Sequence, residues 1–238
     1  METMIVTGAG SGIGHALTRR LLAENFHVSA WDTEPGELAG ANDANLDFQE
    51  LDVRDADAMA GAVTAAVART GRIAGLATCA AIYRAVPFLD LTEDDWDAHL
   101  SINLKGSLLA CQAVLPVMQA QKSGSIVLFS SSIARRGAPQ SAAYAATKGG
   151  VLGLARSLAL DHARAGIRAN TISPGITDTP QPRGNLSEDD IYSRAENIPL
   201  GRIGMPDDMV EAALFLLSDE ASFVTGQDIR VNGGAGLF

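Results

Sequence analysis

Met4-Ile5-Val6-Thr7-Gly8-Ala9-Gly10-Ser11-Gly12-Ile13-Gly14 is the stretch from which the rest of the chain is read. The short apolar run Met4 to Thr7 predicts a strand. The glycines that follow let the backbone turn tightly and approach a pyrophosphate with no Cβ in the way. Ile13 to Glu24 has helical period, with Ala16, Leu17, Leu21 and Leu22 on one face. The loop therefore opens onto a helix N-terminus, whose N–H groups and positive dipole end suit phosphate. The spacing departs from the strict G-x-G-x-x-G pattern because position 13 is Ile, and a glycine loop alone can be only a turn. Its place between a strand and a helix is what gives it weight.

Outward from this loop, short apolar runs alternate with longer helical segments. Strands are expected at His27 to Trp31, Phe48 to Val53, Ile73 to Thr78, Ser125 to Phe129, Ile167 to Ile172 and Asp228 to Val231. Helices are expected at Ala56 to Arg69, Ala142 to Arg164 and Pro206 to Leu217. Another begins at Thr92, where Glu93, Asp94 and Asp95 suit the dipole of the first turn. This alternation implies an α/β fold with a parallel sheet covered by helices on both faces. Ligands in such folds sit beyond the carboxyl ends of the strands.

Composition narrows the function classes. The 238 residues are 47% hydrophobic, with no linker, charge block or repeat to divide them, so a single domain over 1–238 is expected. The net charge of −10 argues against a nucleic-acid partner. Glu2 follows Met1 without the pattern of a signal peptide, and no apolar run approaches the length of a membrane helix. No membrane association is expected. Cys79 and Cys111 are then reduced thiols in a cytoplasmic protein. Cys79 reads as a small buried filler beside the cleft. His15, His27, His99 and His162 form no ligand spacing, and no metal is expected. Trp31 and Trp96 read as packing. No hydrolase elbow, zinc-protease or P-loop pattern occurs.

The candidate site residues follow the strands. Asp32, at the end of strand two, can accept hydrogen bonds from both hydroxyls of an adenosine ribose and would repel a 2′-phosphate. With no basic residue next to it and Ser11 in the loop, the cofactor expected is NAD. A carboxylate at this position could also cap the turn before Pro35. Asp52 and Val53 could hold the adenine. Tyr144 and Lys148 share a helix face. An ammonium near a phenol lowers its pKa from the ordinary ~10 and suits it to proton transfer, but such a pair is common by chance. Ser131, just past strand five, can hydrogen-bond a substrate oxygen and oppose developing charge there.

These residues together resemble the short-chain dehydrogenase/reductase family. The resemblance is carried by Thr7-Gly8-x-x-x-Gly12-Ile13-Gly14, Asp32, Asp52-Val53, Asn103, Ser131, Tyr144-x-x-x-Lys148 and Pro174-Gly175-x-x-x-Thr179. Thr225-Gly226-Gln227 and Val231-Asn232-Gly233-Gly234 look like the family's ending. The resemblance implies a doubly wound, seven-stranded Rossmann-like sheet, usually assembled as a homotetramer. It implies Tyr144 as general acid/base, with Lys148 lowering its pKa and holding the nicotinamide ribose. Ser131 would position the substrate oxygen, and Asn103 would hold a water linking Lys148 to solvent. Gly8, Ser11, Gly12, Ile13, Gly14, Cys79, Ala80 and Ala81 would border the cofactor. Pro174, Gly175, Ile176, Thr177 and Thr179 would contact its carboxamide.

One stretch departs from the family. Thr78-Cys79-Ala80-Ala81 stands where Asn-Asn-Ala-Gly is usual, so Thr78 alone can still hydrogen-bond there. Ser130 and Ser132 flank Ser131, whose spacing to Tyr144 makes it the member expected at the site. A substrate-lid loop is expected at about 176–199, with Pro180, Pro182 and Pro199 and little periodicity. Specificity is expected there and in Ala81 to Phe88. Arg84, Arg135, Arg136 and Arg183 fall in loops that border the site; one could bind a substrate carboxylate, against the plainer reading of solvated surface charges. The apolar run Leu104 to Met118 and the small residues Ala145, Ala146, Gly149, Gly150 and Gly153 suit close helix contact, within the subunit or between subunits.

The reading that results is an NAD-dependent oxidoreductase interconverting a secondary alcohol and a ketone. Its rivals are an NADPH-dependent carbonyl or 3-oxoacyl reductase and a non-catalytic dinucleotide-binding regulatory protein.

Overall fold

Seven strands form one parallel sheet in the order β3-β2-β1-β4-β5-β6-β7 in the computed structural model, which describes residues 1–185 and 187–236. They are β1 (Thr3–Thr7), β2 (His27–Asp32), β3 (Leu46–Glu50), β4 (Ile73–Thr78), β5 (Gly124–Phe129), β6 (Ile167–Pro174) and β7 (Asp228–Val231). The chain moves outward from β1 to β3, then returns to the other side of β1 with β4. The order reverses between β1 and β4, and this switch point opens a crevice at the strands' carboxyl ends.

Alternating side chains send the sheet's apolar residues to two cores. On one face Ile5, Trp31, Leu76 and Leu128 meet helices α2 (Ala56–Thr70), α4 (Gly106–Gln121) and α6 (Ala142–His162), through Met59, Val63, Cys111, Val114, Met118 and Val151. On the other, Met4, Val6, Val28, Ala30 and Val127 meet α1 (Gly12–Ala23) and α9 (Pro206–Leu217), through Leu17, Leu21, Met209, Val210 and Leu216. Each fully buried aliphatic side chain of this kind contributes about 1.5–3 kcal/mol.

Helix ends follow from local chemistry. Asp55 caps α2 by accepting from the Ala58 N–H, and Gly71 ends it in the left-handed conformation. Thr92 caps α3 (Glu93–His99) through the Asp95 N–H. Between α3 and α4 the turns Leu100–Lys105 are π-helical, a widening often found at functional sites. The whole helical run Glu93–Gln121 is long and apolar enough, by length and composition, to cross a membrane. That differs from the expectation that no run approaches this length. Its Ala110, Cys111, Val114 and Met118 are nevertheless shut inside the core.

Two expectations about elements change. The third strand covers Leu46–Glu50 rather than Phe48 to Val53. After the Leu51 N–H meets the Asp32 carbonyl, the Asp55 N–H turns back to the Asp52 carbonyl, so Asp52 and Val53 lie in a turn. The segment 176–199 is not a structureless loop: it holds α7 (Pro180–Arg183) and α8 (Glu188–Glu196). Pro180 supplies the fixed φ of a first helical residue, and Ser187 with Asp190 forms a capping box. Leu186 within this segment, and residues 237–238 of the expected domain, lie outside the described residues. Ile133–Arg136 forms a further short helix, α5.

Two glycines test the fold. Gly61 lies in α2 with nothing near the position of a Cβ, whereas a Cβ on Gly14 would overlap the Gly8 carbonyl oxygen. Gly61→Ala is expected to raise unfolding stability by up to about 1 kcal/mol, and Gly14→Ala to lower it, both read by urea denaturation. Equal effects of the two would contradict the tight turn at Gly8.

Candidate active site

A cleft of ≈ 570 Å³ runs along the switch point. Its floor is the glycine loop, where the Thr7 hydroxyl accepts from the Ala80 N–H (3.2 Å) and the Thr7 carbonyl from the Cys79 N–H (3.1 Å). These bonds lock β1's end against β4's end. Gly8 has φ +67°, and a Cβ there would sit 2.6 Å from the Ala80 nitrogen. Ser11 precedes α1 without capping it, and the first turn of that helix carries no acidic residue. The positive helix end is therefore left for a ligand. A side chain on Gly12 would come within 3.1 Å of Thr179 and close the cradle from above. A dinucleotide's phosphates fit these residues.

At the β2 end the Asp32 carboxylate accepts from the Gly10 N–H (2.9 Å) and the Thr33 N–H (2.7 Å). It thus fixes the glycine loop while still lining the cleft. Arg54, which the sequence reading did not single out, lines the same end. It is clamped by Asp52, with Nε 2.9 Å from Oδ2 and its own backbone N–H 2.9 Å from Oδ1. The guanidinium holds the Asp52 carboxyl below the usual range. Asp52, Val53 and Trp31 line this end as well.

At the other end the structure brings Ser131, Tyr144 and Lys148 together. The flanking serines are spoken for differently. Ser130 donates to the Lys148 carbonyl (2.8 Å), and the Ser132 hydroxyl is buried without a partner among the described residues. Ser131 accepts from the Ile133 N–H (3.2 Å) and lines the cleft beside Tyr144. Lys148, buried, donates from Nζ to the Phe129 carbonyl (2.8 Å), and its Nζ lies 5.7 Å from the centre of the Tyr144 ring. Burial lowers the Lys148 pKa to about 8. Burial also raises that of Tyr144, against the opposing hydrogen bonds of Gln181 and Ser131. In the protein by itself the Lys148 ammonium faces a carbonyl and burial dominates the Tyr144 shift.

Asn103 stands behind the cleft wall. Its Oδ1 accepts from the Ile82 N–H (2.8 Å), and Nδ2 donates to the Ile82 carbonyl (3.0 Å) and the Thr147 hydroxyl (3.2 Å). Both amide hydrogens are thus taken, leaving one lone pair of Oδ1 for a water. Gly14, Ile13, Ala80, Ala81, Pro174, Gly175, Ile176, Thr177 and Thr179 all border the cleft. Cys79 does too, with its thiol pushed up to about 12 by burial, so it is protonated. The Thr78 hydroxyl, able in principle to hydrogen-bond, is buried without a partner among the described residues; Thr7 takes over the bracing.

Of the four arginines expected near the site, only Arg136 lines the cleft. Arg84 pairs with Asp95 (3.3 Å), Arg135 with Asp228 (3.0 Å) and Arg183 with Asp178 (2.6 Å). Tyr83 and Gln181 also line the cleft; they fall in the two segments where specificity was expected, Ala81 to Phe88 and about 176–199, though neither residue was named there. Tyr83 packs edge-on against Tyr144 with ring centres 5.0 Å apart, its hydroxyl 3.1 Å from that of Ser141. Among the described residues no cluster of His, Cys, Asp and Glu is placed to hold a metal ion.

The chain is similar to known proteins along its whole length. A family model described as enoyl-(acyl carrier protein) reductase matches residues 8–236. The 3-oxoacyl-(acyl-carrier-protein) reductase FabG of Thermotoga maritima is 38% identical over 98% of this chain and 97% of its own. D-threitol dehydrogenase of Mycolicibacterium smegmatis is 36% identical over 98% of this chain and 92% of its own. The ligand-free structure of Thermoplasma acidophilum aldohexose dehydrogenase superposes with a TM-score of 0.92 at 31% identity, covering 100% of this chain and 94% of that one.

The buried Lys148 ammonium makes a prediction about stability. Its pKa falls from 10.5 to about 8 on folding, so below pH 8 the fold holds a charge it disfavours, at a cost of up to about 3 kcal/mol. Between pH 8 and 10.5 the unfolded chain keeps a proton that the folded one has released, so stability rises with pH across that window. Lys148→Met is expected to be more stable than the wild type at pH 7, with the gap closing as pH rises, by urea denaturation. A pH-independent gap would contradict the burial argument, since losing the bond to the Phe129 carbonyl does not by itself produce this pH dependence.

Proposed function

The chain belongs to the short-chain dehydrogenase/reductase family of oxidoreductases, and from that premise we propose that it is an NAD-dependent enzyme interconverting a secondary alcohol and a ketone. The observation that carries this is the meeting of Ser131, Tyr144 and Lys148 at the end of the cleft where Pro174 to Thr179 close it. Relatives named for D-threitol and aldohexose dehydrogenation support an alcohol as substrate.

When bound, the nicotinamide supplies or accepts the hydride. The chain's own residues handle the oxygen and its proton. Ser131 donates a hydrogen bond to the substrate oxygen and holds it against Tyr144. In oxidation the alcohol proton passes to the Tyr144 oxygen as the C–H electron pair leaves with the hydride; in reduction Tyr144 returns it to the forming alkoxide. Lys148 keeps a positive charge under the phenol and offers its remaining N–H groups to a ribose hydroxyl. Asn103 braces Ile82 and, through Oδ1, holds the water by which Lys148 exchanges protons with solvent. The α7–α8 segment covers the reacting end and excludes water.

Three further features belong to this reading. The carboxylate of Asp32, fixed by two backbone N–H groups, favours the ribose diol of NAD and opposes a 2′-phosphate. Both cysteines are free thiols, in keeping with a cytoplasmic enzyme. Leu160 on α6, Phe215 on α9 and Phe223 are large exposed apolar side chains that contacts within a homotetramer would cover.

A specific observation favours one rival. Arg54 stands at the adenosine end of the cleft, and once released from Asp52 its guanidinium would suit a 2′-phosphate of NADPH in a carbonyl or 3-oxoacyl reductase. Fluorescence titration of the purified protein with NADH and NADPH separates the two. NADH is expected to bind at least about tenfold more tightly, with the gap narrowing in Asp32→Ser. Tighter NADPH binding would overturn the NAD assignment in favour of the Arg54 rival, and binding of neither would count against a catalytic cleft.

A further inference from the structure

We infer that Arg136 and Arg194 together receive an anionic group of the substrate, so that the site selects hydroxy acids and oxo acids, or their phosphate counterparts, over neutral alcohols and ketones. The inference rests on the oxidoreductase reading and names the substrate class of that same site.

Charge is unevenly spread along the cleft. Asp32 and Asp52 are the carboxylates that line it among the described residues, and both stand at the adenosine end. Lys148, Arg136 and Arg194 also line it, and no carboxylate accompanies them. Lys148 is buried and turns its ammonium to the Phe129 carbonyl. The two guanidiniums remain, on exposed residues at the mouth. A cleft of one sign in a chain of net charge −10 draws anions in against the field of the whole protein.

The other arginines around the site mark the contrast. Arg54, Arg84, Arg135 and Arg183 are each held by an aspartate. Arg136 and Arg194 form no ion pair among the described residues. Asp190, one turn before Arg194, is engaged by the Ser187 cap, whose hydroxyl donates to it at 2.7 Å. Both guanidiniums are therefore available to a ligand.

The two arise on different elements that meet over one segment. Arg136 ends α5, five residues after Ser131, and a helix of four residues is only about 6 Å long. Arg194 lies in the last turn of α8. A Cβ on Gly233 would lie 2.6 Å from Ile198, just past α8, and one on Gly236 would lie 3.7 Å from Cδ of Arg136. Gly233 and Gly236 are three peptide steps apart, at most about 11 Å. The ends of α5 and α8 thus flank the same short segment, and two long side chains can converge from them on one small anion.

The wall nearer the reacting atoms is apolar. Ile133 stands between Ser131 and Arg136 in the chain, and Ile176 and Pro182 line the same cleft. A hydrocarbon spacer suits such a wall, where an added hydroxyl would give up water for no partner. The complementary ligand carries its reacting hydroxyl or carbonyl at Ser131 and Tyr144, a few apolar carbons, and a carboxylate or phosphate at the mouth. A guanidinium holds either group through paired N–H···O bonds.

The test compares 3-hydroxybutanoate, 4-hydroxypentanoate and 5-hydroxyhexanoate with their methyl esters, and 4-hydroxypentyl phosphate with pentane-1,4-diol. The wild type is expected to favour at least one anion over its neutral partner by about tenfold or more in kcat/KM, chiefly through KM. Whether an acid or the phosphate gains more identifies the group received. Arg136→Met and Arg194→Met keep the apolar stems, and each is expected to cut that preference about tenfold. Circular dichroism and NADH binding of both variants are expected to match the wild type. No preference for any anion, an unchanged preference in the variants, or weakened NADH binding in them would overturn the role of the two arginines and leave the oxidoreductase reading standing. Turnover of none of these compounds by the wild type, with NAD or NADP, would overturn both.

Discussion

The hydrogen bond from the Lys148 ammonium to the Phe129 carbonyl, 2.8 Å long and shut away from solvent, is the constraint around which the site is arranged. It fixes α6 to the carboxyl end of β5, and with it Tyr144, one helical turn earlier on the same face. Ser130, also at that end, donates to the Lys148 backbone carbonyl and makes the joint a double one. Ser131, the next residue, is left to face Tyr144. The three groups of the site are thus placed by α6 and by the turn that follows β5.

The arrangement stores an electrostatic tension. Burial disfavours the charged form of both partners, lowering the Lys148 pKa to about 8 and raising that of Tyr144. A cation kept in such a place costs stability, and a buried, shifted group in a cleft is a candidate for chemistry. The protein alone holds Tyr144 as a neutral phenol. The positive nicotinamide ring of an oxidised cofactor is the charge that the site lacks, and its arrival links cofactor binding to the readiness of the base.

Much of this was legible in the sequence because it depends on local rules. The glycine loop after β1, the carboxylate at the end of β2 and the spacing of Tyr144 and Lys148 all follow from backbone freedom or from helix period. The seven-stranded topology follows from the alternation of strands and helices together with the family resemblance. Distant partners were not legible. Gln181 belongs to a four-residue helix with no periodicity of its own, which Asn185 ties to Tyr83 and Ala85 across the cleft. Ser187 and Asp190 did carry the signature of a capping box, and it was the prolines nearby that made the segment read as a loop. Arg54 was hidden by the misplaced end of β3, which put Asp52 in a strand when it lies in a turn. The direction of the Tyr144 shift also needed three dimensions, since burial outweighs a charge whose hydrogens point at a carbonyl.

Titrating the Tyr144 phenol in the protein with and without NAD bears most directly on this linkage. The difference in phenolate absorbance between the wild type and Tyr144→Phe isolates this one tyrosine. Without cofactor the midpoint should lie above the ordinary phenol value, because burial dominates, and saturating NAD should bring it below that value. A midpoint that NAD leaves unchanged, or one already below the ordinary value in the protein alone, would show that bound cofactor is not what readies Tyr144 as the base.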